Sequence, residues 1–280
     1  MRTAFALLLS LSGTPQMMAD DKGDAKKLLD DAATAYAEGK YKEAAVGAEK
    51  AAKLDPKNAG AFLFAGMSRL QLRENEVSAA HLTKAIELDP AAALAYDRRG
   101  DAYLKMGKFK EAVADFDKFL ELRPKYAPEH WRRGIALYYA GRFEDGTKQF
   151  DLHRTVNPED VENSAWHYLC NARANTPKKA RMDLIPVTKD ARVPMKEVLE
   201  LFAGKIKPAD VFAAVEATKL TGEKLTEARF YAHLYVGLYY ESEGDEKKAL
   251  EHLTTAVEKY KIGHYMWDVA NAHLMVQKKK

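Results

Sequence analysis

The chain has 280 residues, of which 47% are hydrophobic and 30% are charged, a composition typical of a globular protein with one or two domains. Its formal net charge of +3 is small, and basic and acidic residues are interleaved along most of the sequence. This composition excludes a disordered chain. It also excludes a strong positive electrostatic field that would attract polyanions, so no nucleic-acid partner is predicted.

The first nineteen residues have the three-part layout of a secretory signal peptide. Arg2 precedes an apolar run from Ala4 to Leu11, and a more polar stretch ends at Ala19. The alternative is a frayed apolar N-terminus of a cytosolic protein. We expect the signal peptide, and therefore a periplasmic or secreted protein that is soluble after cleavage. No cysteine lies near the cleavage site and no other segment has the roughly 18 apolar residues of a transmembrane span, so neither a lipid anchor nor a span is predicted.

Residues 25–160 repeat with a period of 34 residues. Each unit has a small residue that allows two helices to approach closely, and a proline that ends the second helix. The spacing predicts four helical hairpins, each with a left-handed turn that suits glycine and that Arg73 adopts at some cost. The turns are expected at Gly39, Arg73, Gly107 and Gly141, the small residues are Ala32, Gly66, Gly100 and Gly134, and the prolines are Pro56, Pro90, Pro124 and Pro158.

This period resembles the tetratricopeptide repeat family over four full units. The resemblance implies an all-α helical solenoid, whose stacked units leave a concave groove lined mainly by the first helix of each unit. Rigid aromatic side chains there are good anchors for a partner because they lose little entropy on binding. By family register the predicted partner-binding residues are Tyr36 in the first unit; Leu63, Met67 and Leu70 in the second; Leu94, Asp97, Asp101 and Leu104 in the third; and Trp131, Ile135, Tyr138 and Tyr139 in the fourth.

The chemistry of this groove favours a protein or peptide partner held by apolar contacts. We expect at least Tyr138 or Tyr139 to be exposed; the alternative is that the next helix covers several groove residues. Asp97 and Asp101 would repel a partner's C-terminal carboxylate, so the bound segment is expected to carry a basic residue opposite them.

Residues 161–220 are predicted to be a helical connecting segment. The stretch 161–173 starts like another repeat but lacks a second helix in register. Three prolines, Pro177, Pro194 and Pro208, mark the starts of short helices after it, because proline is tolerated in the first turn.

Residues 221–276 are predicted to form a C-terminal repeat-like unit and a capping helix. The block "FYAHLYVGLYYESEGDEKKALEHLTTAVEKY" carries the repeat register once more, and "HYMWDVANAHLMV" from His264 is expected to cover the last apolar face of the solenoid. Residues 277–280 are predicted to be a solvated basic tail.

The sequence does not contain the common motifs of catalysis and metal binding. It has no HExxH zinc motif, no GxxxxGK[ST] phosphate loop and no GxSxG nucleophile elbow. The single cysteine, Cys170, lies among aromatic and aliphatic residues and is expected to be a buried structural thiol. We therefore predict that the protein is not an enzyme, and we predict no catalytic residue, cofactor or metal.

The order of the blocks along the chain resembles that of a more specific group of proteins. Four repeats, the segments "RRGIALYYAGR" and "NSAWHYLC", an irregular helical stretch and the block from Phe230 to Tyr260 together resemble the NlpI-type tetratricopeptide proteins of the bacterial envelope. The resemblance implies a periplasmic homodimer that acts as an adaptor and presents peptidoglycan hydrolases to a tail-specific protease. The family's best-known members have an anchoring cysteine that this sequence lacks.

Two functional hypotheses are open at this point. The first is a non-catalytic adaptor or scaffold of the bacterial envelope that binds partner proteins through the groove. The second is a cell-wall or small-ligand binding protein, or an enzyme, whose site lies in residues 174–220, where basic residues are in excess in the stretch up to Met195.

Overall fold

The computed structural model describes residues 19–277. The predicted signal peptide, apart from Ala19, and the three lysines of the predicted basic tail lie outside these residues. Within the described range the chain forms fifteen α-helices and no strands, so the predicted all-α class is confirmed. None of the helices in this range is long and apolar enough to cross a membrane.

The first eight helices form four antiparallel hairpins that stack on one another in chain order. A short 3-10 turn, Pro124–Tyr126, separates the third hairpin from the fourth. The pairs are α1 (Ala19–Ala37) with α2 (Tyr41–Leu54), α3 (Ala59–Gln71) with α4 (Asn75–Leu88), α5 (Ala93–Lys105) with α6 (Phe109–Leu122), and α7 (Trp131–Tyr139) with α8 (Phe143–His153).

The turn inside each of these hairpins contains one residue in the left-handed region, as the 34-residue period predicts. That conformation places the turn's backbone amides close to the last carbonyls of the first helix, and it is accessible to glycine without strain. The φ angles are 76° at Gly39, 59° at Arg73, 71° at Gly107 and 77° at Gly141.

The two helices of a hairpin touch at the small residue of the first helix. A Cβ atom on Gly100 would lie 2.7 Å from the Phe116 ring, and one on Gly134 would lie 2.6 Å from the Phe150 ring. No side chain fits at such distances, so the large residue of the second helix packs directly on the backbone of the first. The predicted close approach of the helices is confirmed.

α9 (Val161–Ala174) packs on α8 like the first helix of another unit, but three short helices follow instead of a partner. Of these, α10 and α11 pack against α9. Each starts at or directly after one of the three prolines that predict helix starts. They are α10 (Pro177–Met182), α11 (Met195–Phe202) and α12 (Pro208–Glu216).

The last block contains a fifth hairpin and a terminal helix. α13 (Gly222–Ser242) and α14 (Glu246–Lys259) pack on each other across a turn at Gly244, whose φ is 83°. α15 (Tyr265–Gln277) packs against α14 and also against α5, far away in sequence. The chain therefore closes back on its own repeats.

One large hydrophobic core extends from α5 to α15. It includes buried Cys170, whose thiol pKa is raised by burial, as expected of a structural cysteine. The first two hairpins instead contribute to small separate clusters, made largely of alanines such as Ala32, Ala48 and Ala65. The N-terminal hairpins thus bury smaller side chains than the rest of the molecule.

Candidate functional site

The concave side of the hairpins is occupied in part by the chain's own C-terminal helix. Ring centroids of Tyr265 in α15 and Trp131 in α7 lie 5.0 Å apart, and those of His273 and Tyr139 lie 5.2 Å apart. The Tyr139 hydroxyl is 2.9 Å from Nδ1 of His273. In this half of the groove, a later helix covers the predicted residues.

Two polar contacts hold the start of α15 on the repeats. The Tyr265 hydroxyl donates to Oδ1 of Asp101 at 2.6 Å. One turn further, Asp268 pairs with Nε of Arg73 at 2.9 Å, and the Arg73 guanidinium lies 5.3 Å from the centroid of the Trp267 ring. Arg73, which takes a strained turn conformation, therefore binds α15 with its side chain.

Asp97 lies buried beside the groove and its charge is compensated within the chain. Its Oδ1 accepts hydrogen bonds from Nε2 of His130 at 3.0 Å and Nη2 of Arg132 at 2.7 Å. Because Nδ1 of His130 accepts from the backbone N–H of Arg133 at 3.3 Å, we place the imidazole proton on Nε2. Burial raises the pKa of Asp97, but the His130 hydrogen bond and the Arg132 charge outweigh it, so this pKa stays well below its usual range.

Asp101 is compensated in the same way. Besides the Tyr265 hydroxyl, Arg132 Nη1 at 3.5 Å and Lys105 Nζ at 3.4 Å surround its carboxylate. The expectation that a partner would bring a basic residue to Asp97 and Asp101 is therefore wrong, because the chain supplies those cations itself.

The predicted partner-binding residues fall into four groups. Five are in the hydrophobic interior, each at most 8% exposed: Met67, Leu70, Leu104, Ile135 and Tyr138. Asp101, Trp131 and Tyr139 lie under α15. Asp97 is buried in its ion pairs, whereas Tyr36 and Leu63 are partly exposed and Leu94 is 38% exposed. Tyr138 is therefore not available on the surface, and Tyr139 is partly buried against His273.

The other half of the groove is open and has a volume of about 790 Å³. Four of the predicted residues border it: Leu63, Leu94, Asp97 and Trp131. Phe119 and Tyr126 extend its apolar lining, and charges of both signs surround it at Asp89, Arg98, Arg123 and Glu129. This open half of the groove is the candidate site for a partner.

Sequence reasoning missed the roles of His130, Arg132 and Tyr265. One signal was available: the terminal helix has apolar residues around most of its circumference, so it must be buried on more than one side. A second signal was Arg73, since a non-glycine residue at a left-handed turn needs a compensating role. In residues 19–277, no three His, Cys, Asp or Glu side chains are grouped so that they could hold a metal ion.

One of the hairpins, the third, matches a family model. The tetratricopeptide repeat model matches residues 93–126, which contain α5, α6 and the 3-10 turn after them. Residues 93–126 are therefore a tetratricopeptide repeat. The other three hairpins share the 34-residue spacing and the turn geometry of this tetratricopeptide repeat.

Solved structures share the tetratricopeptide repeat solenoid over most of the chain. A tetratricopeptide repeat protein from Parabacteroides merdae is 14% identical, with a TM-score of 0.59 and coverage of 90% of this chain and 99% of that one. A MamA protein is 16% identical, with a TM-score of 0.52 and coverage of 73% and 100%. The MamA protein of Desulfovibrio magneticus is 18% identical, with a TM-score of 0.52 and coverage of 60% and 92%. At these identities the likeness shows the fold alone, and no curated protein sequence matches the chain.

Proposed function

We propose that this tetratricopeptide repeat protein is a non-catalytic adaptor that holds an apolar segment of a partner protein in the open half of its groove. The observation that carries the proposal is the exposure of Leu94 and Tyr126, each 38%, in one concavity of about 790 Å³. Large apolar side chains gathered in a concave surface are typical of interaction sites, whereas single exposed ones are ordinary.

The covered half of the groove supports the same function, because it shows a chain segment bound there. α15 lies on α5 and α7 through aromatic contacts and one hydrogen bond to a buried carboxylate. A partner segment in the open half would continue along the same first helices and reach Leu63 and Leu94.

Substitution of Leu94 by Asp tests the groove. Loss of a buried leucine contact costs about 1.5–3 kcal/mol, so capture of the partner should fall by roughly tenfold or more. The matched control is Leu152→Asp, because Leu152 is also 38% exposed but lies on α8 outside the groove. Quantitative cross-linking and mass spectrometry of the full-length protein would measure capture. Equal capture by both variants would refute the groove assignment.

The resemblance to NlpI-type proteins extends the proposal to the bacterial envelope. The adaptor would be a periplasmic homodimer that links a tail-specific protease to peptidoglycan hydrolases. The order of the blocks along the chain supports the assignment of a protease and peptidoglycan hydrolases as partners. The predicted signal peptide supports a periplasmic location. Fractionation of cells that express the full chain should recover a periplasmic protein cleaved near Ala19; a cytosolic protein that retains Arg2 would contradict this location.

A further inference from the structure

A second cavity, of about 390 Å³, lies where the repeats, the connecting segment and the C-terminal block meet. Its walls come from α7, α8 and α9, from Arg192 before α11, and from His264 and Met266 at the start of α15. Its volume falls within the ~300–1,000 Å³ typical of small-molecule sites. The cavity is separate from the open half of the groove, although Glu129 and Trp131 contribute to both.

The polar wall of this cavity has more negative than positive charge. Arg192 binds three carboxylates, with 2.7 Å from Nη1 to Glu162 Oε1 and 2.6 Å from Nη2 to both Asp160 Oδ1 and Asp190 Oδ2. Asp160 and Glu162 line the cavity, as does Glu129. One guanidinium cannot neutralise three carboxylates, so the wall favours an additional cation.

Two buried polar atoms of the same wall have no partner among the described residues. They are Nε1 of Trp166, a donor, and Oδ1 of Asn163, an acceptor, on side chains of residues that are 2% and 4% exposed. A buried group without a hydrogen bond costs about 1–3 kcal/mol. Both residues line the cavity, and a ligand with one donor and one acceptor would satisfy these two atoms once the side chains turn toward it.

Most of the remaining wall is apolar and aromatic, although His153, Asn157 and His264 also line the cavity. Trp131, Ile135 and Phe150 face the cavity from the repeats, and Met266 faces it from α15. A ligand that complements the whole cavity therefore combines a cation, a neighbouring hydrogen-bond acceptor and an apolar group.

We propose that the cavity binds an ammonium group next to an amide carbonyl, as found in an amino-acid amide or at the N-terminus of a peptide. The ammonium donates to Glu162 and Asn163, the carbonyl oxygen accepts from Nε1 of Trp166, and an apolar side chain lies against Trp131 and Ile135. A free amino acid binds less well, because its carboxylate would lie near Glu129 and Asp160.

Calorimetric titration of the full-length protein at pH 7 with L-leucinamide tests this proposal, with N-acetyl-L-leucinamide and L-leucine as matched ligands. N-acetyl-L-leucinamide has no ammonium, and since a hydrogen bond to a charged group is worth about 1.5–3 kcal/mol, it should bind roughly tenfold or more weakly. L-leucine keeps the ammonium but should also bind more weakly than leucinamide, because the acidic wall repels its carboxylate. A tripeptide with N-terminal leucine distinguishes the two sources: affinity at least equal to that of leucinamide assigns a peptide, and weaker affinity assigns the small amide. No binding of leucinamide at millimolar concentration, or equal binding of the acetylated compound, overturns the proposal.

The variant Glu162→Gln should bind leucinamide roughly tenfold or more weakly. Its matched control is Glu243→Gln, because Glu243 also pairs with a tyrosine, Tyr168, and an arginine, Arg181, but lies outside the cavity. Because burial raises the pKa of Glu162 to about 7, the wild type should also release protons on binding relative to Glu162→Gln, measured in two buffers of different ionisation enthalpy. Unchanged affinity in a folded Glu162→Gln protein would overturn the assignment of the ammonium site.

Discussion

Arg73 stands at a turn where the other three hairpins of residues 25–160 have glycine, and its φ of 59° is unfavourable for a residue with a side chain. The side chain compensates for this strain. It pairs with Asp268, whose side chain is 10% exposed, and stacks over Trp267. At the residue scale, a local backbone cost is thus offset by a contact with an element far away in sequence.

Substitution of Arg73 by Gly should separate these two effects. Glycine relieves about 1 kcal/mol of backbone strain, but the change leaves the Asp268 carboxylate with weaker compensation. We expect a net loss of about 1–2 kcal/mol in the free energy of unfolding, measured by urea denaturation.

The control for this prediction is a double-mutant cycle with Asp268→Asn. If the ion pair is the source of the loss, Arg73→Gly should cost about 1 kcal/mol less in the Asp268→Asn background than in the wild type. A fully additive cycle, or an Arg73→Gly protein as stable as the wild type, would contradict the role given to the Arg73 side chain.

The raised pKa of Glu162 should make the stability of the protein depend on pH. Burial raises its pKa from the ordinary value of 4.5 to about 7, Asp160 adds to the rise, and Tyr235 and Arg192 reduce it. Between these two pH values the folded state holds a proton that the unfolded state has lost. The stabilisation from this group is therefore complete below about pH 4.5 and declines as the pH rises to about 7.

The variant Glu162→Gln lacks this titration. Relative to the variant, the wild type should lose up to about 3 kcal/mol of unfolding free energy as the pH rises from 4.5 to 7. Urea denaturation of both proteins at several pH values would measure it. Parallel stability curves would show that Glu162 has an ordinary pKa.

Except in the first hairpin, where Ala32 and Ala48 pack together, the two helices of each hairpin are in direct contact between a glycine backbone and a large side chain. In the fourth hairpin the Phe150 ring, in a residue that is 2% exposed, lies on the backbone at Gly134. Most determinants of such a hairpin lie within one unit, so the period predicted the turns, the close contacts and the class of fold. The starts of α10, α11 and α12 were predictable for the same reason, because proline restricts the backbone locally.

Gly134→Ala tests this contact, since the new Cβ would lie 2.6 Å from a ring that the core holds in place. Overpacking should outweigh the better helix propensity of alanine and lower the unfolding free energy by about 1–3 kcal/mol. The matched control is Gly23→Ala in α1, where a Cβ would meet no atom within 4 Å. That variant should gain up to about 1 kcal/mol in thermal or urea denaturation, and a comparable loss in both variants would contradict the packing argument.

At the scale of the whole molecule, α15 turns an open array of repeats into a closed one. Tyr265 and Asp101 are 164 positions apart, whereas contacts in a simple solenoid join only neighbouring units. The position of α15 could not be predicted from the sequence, because no local pattern specifies a contact of such separation. For the same reason the predicted groove contained residues that α15 covers, such as Trp131, while the exposed position of Leu94 followed from the repeat register alone.

This closure should couple the unfolding of the repeats to that of the C-terminal block. The first two hairpins have only small alanine-rich clusters, so without α15 they should unfold at lower urea concentration than the large core. In the wild type, far-UV circular dichroism and tryptophan fluorescence should give one shared midpoint. In a protein that lacks residues 261–280, circular dichroism should report an earlier phase, while Trp131 and Trp166 report the core.

The double variant Arg73→Ala and Tyr265→Phe tests the same coupling with the full chain, because it removes the two polar contacts that hold the start of α15 on the repeats and retains the apolar packing of this helix. In this variant the urea midpoint from circular dichroism should again lie below the midpoint from tryptophan fluorescence. The difference between the two midpoints should be smaller than in the truncated protein. Each removed contact is worth about 1–3 kcal/mol, enough to loosen the helix without unfolding the core. Coincident midpoints in both variants would show that the N-terminal hairpins are coupled to the core through nearest-neighbour stacking alone.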